Sequence, residues 1–327
     1  MRRFLALIPI PLLACVVLAG CGSSKPAASS SPSSSASSAA NSSVTATGAF
    51  GQTPTVDIPK AKPGSSLAIR TLIQGTGTTL TKTDTLAANI VWYAWDGTTS
   101  SKRQSTFGSV PTLIPIKLLP GLETALVGKK VGSRVLAVIP PAQGFGASGN
   151  PQAGITATTT LVFVIDVLKA YSATEGASGT QVSNGGGILP TVSAKAGSAP
   201  TLTFPSSPPP SALVTKTLVK GNGPKVAKGD LVVAQYVGYI WRTKKPFVSG
   251  SSSWALGSPV GFVVGASPAQ VIPGWDKGLV GQTVGSRVIL SIPPSQGYGS
   301  SGSPQAGIKS TDTLAFVVDI IDALQKG

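Results

Sequence analysis

The sequence predicts an α+β protein of two tandem domains, each mostly strand with one short helix. Three observations carry that prediction. The chain repeats itself: "PTVDIP" at 54–59 returns as "PTLTFP" at 200–205, 146 residues on, and "PQAGI" at 151 returns at 304, 153 residues on. Apolar residues alternate with period two, placing Val288, Leu290 and Ile292 on one face, and likewise Leu314, Phe316, Val318 and Ile320. That is the pattern of half-buried strands. Finally, each copy holds one helix candidate, opened by Pro-Gly, in "LLPGLETALVGKKVGSR" (118–134) and "VIPGWDKGLVGQTVGSR" (271–287). Proline pre-sets a first helical turn, and Asp276 complements the positive end of the helix dipole.

At the N-terminus, Arg2 and Arg3 precede an apolar run that stops at Cys21. A basic start and an apolar stretch too short for a stable span read as a signal peptide over 1–20. Leu18-Ala19-Gly20-Cys21 resembles the lipobox of bacterial lipoproteins. The resemblance implies a lipid on Cys21 and an extracytoplasmic protein held at the outer face of the cell membrane. Residues 21–47 are Ser/Ala/Pro-rich and read as a flexible tether. The first domain is assigned to 48–170, a Gly/Ser/Thr-rich linker to 171–196 and the second domain to 197–327. Each domain is long enough for its own core. The second copy carries a net insertion of seven residues between Asp230 and Val271.

The chain has no histidine and two cysteines. Cys15 leaves with the signal peptide and Cys21 takes the lipid. Serine–histidine catalysis, histidine acid–base chemistry, ordinary zinc sites, a cysteine nucleophile and disulfides are therefore excluded for the mature chain. No cofactor or metal is expected. The formal charge is +15, or about +13 without Arg2 and Arg3, and it is scattered. Nucleic-acid binding would want a clustered stripe; anionic lipid or wall polymer is the more economical partner. The Gly-x-Gly turns at 75–77 and 221–223 lack a Lys-Ser/Thr ending and read as hairpin turns. Asp312, Asp319 and Asp322 read as solvated edge charges.

In the second copy, residues 212–324 combine Gly274-Trp275, a Val-Gly step, an Ile-Pro strand ending, Gly297-Tyr298-Gly299 and a closing strand with Phe316. This run resembles the FKBP-type peptidyl-prolyl isomerases; the first copy matches more thinly, through 118–168. The resemblance implies, in each domain, a curved antiparallel sheet wrapped around the short helix, and an enzyme that rotates X–Pro bonds. Such rotation breaks amide resonance across a barrier of about 18–20 kcal/mol. The twisted amide has lost charge separation, so a dry apolar cup with one or two hydrogen bonds favours it over the planar ground state. A chain without histidine can do this.

By the same resemblance, Trp275 is the floor beneath the proline ring. Tyr236, Phe262, Val271 and Phe316 are walls, with Phe247 at the rim. The Ile272 N–H and the Tyr298 hydroxyl hold carbonyls, and Ile308 caps the opening. The aspartate that usually follows the rim phenylalanine falls on Val248. In the first copy Leu122 replaces the tryptophan, Phe145 the tyrosine and Ile90 the position of Tyr236, so that copy reads as degenerate. The expectation is a monomeric isomerase that assists proline-containing exported polypeptides, active mainly through its C-terminal domain. The alternative is a non-catalytic chaperone or wall-polymer-binding lipoprotein.

Overall fold

The structure, a computed structural model, describes residues 40–326. The signal peptide and Cys21 lie outside the described residues. The first domain contains β1 (Thr45–Thr47), β2 (Thr55–Asp57), β3 (Ala68–Ile73), β4 (Thr85–Asp96), β5 (Thr99–Ser105), β6 (Thr112–Pro115), α1 (Pro120–Leu126), β7 (Arg134–Ile139) and β8 (Thr160–Tyr171). The second contains β9 (Thr180–Gln181), β10 (Thr191–Ser193), β11 (Thr201–Thr203), β12 (Val214–Lys220), β13 (Leu231–Ile240) and β14 (Lys245–Pro246). It continues with α2 (Ser253–Leu256), β15 (Val260–Val263), α3 (Pro273–Leu279), β16 (Arg287–Ile292) and β17 (Leu314–Leu324).

The two main sheets are antiparallel and share one plan. One runs β3-β7-β8-β4-β5 with β6 on β4; the other runs β14-β13-β17-β16-β12-β9 with β15 on β13. Their registers coincide residue by residue. Ile90 opposes Ile165 where Tyr236 opposes Val318, and β4 bulges at Ala87/Ala88 where β13 bulges at Val233/Ala234. α1 and α3 pack on the inner faces.

Several expectations are corrected. These strands are not half-buried: β7 is buried on both faces throughout, β8 through Val167, β16 beyond Arg287 and β17 through Asp322. Their outer faces are roofed by N-terminal hairpins. Val44 and Ala46 cover Val91, Trp95, Leu136 and Val164, while Leu189 and Val192 cover Leu218, Val237, Ile289 and Val317. Residues 40–47, assigned to the tether, therefore belong to the first domain. Asn41 fastens them, donating to the Gly64 and Ser66 carbonyls and accepting the Gly64 N–H.

Residues 171–196 are likewise not free linker. β9 pairs with β12, β10 pairs with β11, and the Ala177 N–H donates to Asp319. The hairpins β1–β2 and β10–β11 stand 146 residues apart, so the repeat starts earlier than its sequence similarity suggests. A second helix also appears. In α2 the Ser252 side chain accepts the Ala255 N–H and Gly257 ends the turn, within the inserted stretch.

Asp312, Asp319 and Asp322 are buried, and each is ion-paired: with Arg242 at 2.7 Å, Arg287 at 2.5 Å and Lys169 at 2.6 Å. A buried carboxylate needs such compensation. The counterpart of the Arg287 pair is Arg134–Asp166, at 2.5 Å with both side chains wholly buried. Arg134 also donates to the Gly48 and Gln52 carbonyls, and the Gly51 N–H donates to Asp166. The pair thus ties the first hairpin to its sheet.

Candidate functional site

Ile272 is extended (φ −65°, ψ 149°) and Pro273 opens α3, so Trp275 falls in the first helical turn and enters the sheet's inner face. Its ring centroid lies 5.2 Å from each of Tyr236, Phe262 and Phe316, at interplanar angles of 82°, 65° and 90°. Edge-to-face packing of this kind suits aromatic quadrupoles. Trp275 is 5 % exposed, and its Nε1 has no hydrogen-bond partner among the described residues.

The strands supply the walls. Tyr236 and Gly238 lie on β13, Phe316 opposes Gly238 from β17, and Phe262 opposes Val232 from β15. Gly238 is there for space: a Cβ would sit 2.6 Å from the Phe247 ring and 2.7 Å from Phe316. Phe247 uses that slot, meeting Phe316 edge-on at 5.4 Å and 76°. At 6 % exposure it is a wall and not a rim residue, which corrects the sequence reading. Val248, by contrast, is 81 % exposed.

The inserted stretch braces this wall. The Tyr236 hydroxyl donates to the Gly250 carbonyl at 2.8 Å, and the Tyr236 N–H donates to Ser253 Oγ at 2.8 Å. Ser253 in turn donates to Gln235 Oε1 at 2.5 Å. Sequence reasoning missed Gly238, Gln235 and Ser253. A glycine inside an aromatic-rich strand was the available signal of close approach.

After β16 the chain passes through three single-turn helices. Tyr298 precedes the second of them. Ser303 and Ile308 exchange backbone hydrogen bonds at 2.8 and 3.0 Å, which locks Ile308 into the core shared with Trp275. Val271, Ile272 and Tyr298 pack against that core while partly exposed. Among the described residues no acceptor engages the Tyr298 hydroxyl or the Ile272 N–H. Burial raises the Tyr298 pKa; burial, then the neighbouring Tyr298, pushes Tyr236 up to about 12. Both phenols are therefore neutral donors at physiological pH. The structure thus brings all nine candidate residues around one apolar cluster.

The first domain fills the same places differently. Leu122 is wholly buried in the position of Trp275, with Ile90, Ile114 and Phe163 around it. Phe145, at the place of Tyr298, offers no hydroxyl. Trp92 opposes Phe163 where Gly238 opposes Phe316, and it stacks on Phe163 at 5.8 Å and 20°. The surface that Phe247 meets in the second domain is thus covered by a tryptophan in the first.

The model of the family described as FKBP-type peptidyl-prolyl cis-trans isomerase matches residues 77–168 and again 223–321. The "FK506-binding protein" of Streptomyces anulatus is 38% identical over 122 residues, covering 37% of this chain and 94% of that protein. The "Probable FK506-binding protein" of Corynebacterium glutamicum is 35% identical over 126 residues, covering 38% and 98%. Among solved structures, the crystal structure of AtFKBP13 matches with a TM-score of 0.31 and 33% identity, over 35% of this chain and 94% of that one.

Proposed function

The chain belongs to the FKBP-type peptidyl-prolyl cis-trans isomerase family, and from that premise we propose that turnover resides in the second domain, at the cup floored by Trp275. The observation that carries this reading is the pairing of a buried indole, ringed by three aromatic groups, with two donors beside it that no acceptor engages among the described residues. A proline ring seated on Trp275 leaves water. The half-rotated amide, poorer in charge separation than the planar form, loses less by that transfer. The Ile272 N–H and the Tyr298 hydroxyl hold flanking carbonyls, each hydrogen bond worth about 1 kcal/mol, or roughly fivefold in rate where it is made only in the transition state. Phe262, Phe316, Phe247 and Val271 keep the cup apolar, Tyr236 is fixed as a wall by its bond to Gly250, and Ile308 closes the far side. Val248 supplies no carboxylate near the amide.

The first domain, with Leu122, Ile90 and Phe145 in the corresponding places, is read as non-catalytic. The client class is proline-containing exported polypeptides, and the location is the outer face of the cell membrane through a lipid on Cys21; the lipobox sequence supports both. Cis/trans exchange of a short X-Pro peptide by the full chain tests the enzymatic assignment. Trp275→Leu lowers it at least a hundredfold and Phe145→Ala leaves it unchanged; the reverse pattern would move the activity to the first domain. Release of a Cys21→Ala chain from membranes tests the anchor.

A further inference from the structure

One row of residues in each domain faces the corresponding row in the other. In the first domain Leu113, Ala87 and Lys169 are cross-strand neighbours on β6, β4 and β8. Their register counterparts in the second are Gly261, Val233 and Asp322 on β15, β13 and β17. Leu113 lies against Gly261, Ala87 and Val233 share one apolar cluster with Tyr171 and Ile321, and the Lys169 ammonium meets the Asp322 carboxylate at 2.6 Å. Tyr171 also donates to Asp322 at 2.8 Å. Equivalent positions that touch one another lie along a twofold axis, as in the isologous interface of a homodimer.

A true homodimer puts identical side chains at such positions. Here they are split into complementary halves. A Cβ on Gly261 would stand 2.5 Å from Leu113 Cδ1 and 2.7 Å from its Cγ, so two leucines cannot share that place; two glycines leave a void. Two lysines or two aspartates at 169 and 322 would repel. We infer that this face is a heterotypic docking surface whose partner is the other domain, and that each half rejects a second copy of itself. Specificity of this kind combines attraction to the right partner with repulsion of the wrong one. The first domain is thereby a dedicated partner for the second. Since Gly261 directly precedes Phe262, the contact bears on the strand that carries a wall of the cup.

Residue exchange across the axis tests this in the full chain, read by hydrogen exchange of the amides of 112–115 and 260–263 and independent of turnover. Gly261→Leu places two leucines together and speeds exchange at least tenfold; Leu113→Gly with Gly261→Leu moves the knob to the other side and returns it to within threefold. Lys169→Asp loosens the face through two carboxylates, and Lys169→Asp with Asp322→Lys restores it. This charge series serves if the leucine variants fail to fold. Single changes without effect, or exchanged pairs no better than the singles, would overturn the inference.

Discussion

The two domains share strand order, register and even the bulge, yet differ at the centre of the sheet's inner face. In the first, Leu122, Ile90 and the stacked Trp92–Phe163 pair fill the space with side chains that satisfy one another. In the second, Gly238 takes a side chain away, Phe247 enters edge-on, and among the described residues nothing pairs with the Trp275 N–H or with the two donors beside it. The difference teaches that a scaffold and a site make separate demands on one fold. Packing needs volume filled, whereas catalysis needs unsatisfied groups held in place.

The strongest way to break the contrast is to make the second domain resemble the first. Trp275→Leu should lower peptide isomerisation at least a hundredfold, and cost about 2–4 kcal/mol of stability through the cavity left behind, read by a coupled peptide assay and urea unfolding. Next comes a change that spares the cup. Arg134→Met strands the wholly buried Asp166 and should destabilise the first domain by about 3–5 kcal/mol, so that the unfolding midpoint moves while peptide isomerisation by the full chain does not. A smaller effect is expected from Tyr298→Phe, which copies Phe145: kcat falls roughly fivefold for the loss of one hydrogen bond, with KM little changed. Phe145→Tyr, the reverse graft, should add no activity to the full chain, since Leu122 still stands where the second domain has its indole. The mildest test is pH. Because the Tyr236 pKa is raised to about 12 and that of Tyr298 is raised too, the neutral donor form persists through and beyond the usual phenol range. Rate should be flat from pH 6 to 9 and decline only where the phenols ionise, above pH 10. A titration near neutrality would contradict the proposed donors.

Much of this was legible in the sequence because it is local. The repeat, the Pro-Gly helix start and the inward faces of β16 and β17 follow from spacing alone, and the nine candidate residues converge as the family pattern implies. What was not legible depends on partners far along the chain. Nothing near Asp319 or Asp322 indicates that Arg287 and Lys169 neutralise them, so they read as solvated. The hairpin arms are written in Ser, Thr, Ala and Gly, the alphabet of linkers, and only the sheet beneath gives Val44 or Val192 something to bury against. Phe247 looked like rim because its burial is decided by the glycine at 238, on another strand.

The lysine at 169 facing the aspartate at 322 has a consequence for how such a chain can change. Once a duplicate has been carved to fit its sibling, neither can be deleted or traded for a third copy without exposing an ill-matched seam. A module without an indole floor or a phenol donor is thereby kept by its neighbour for the fit of the seam.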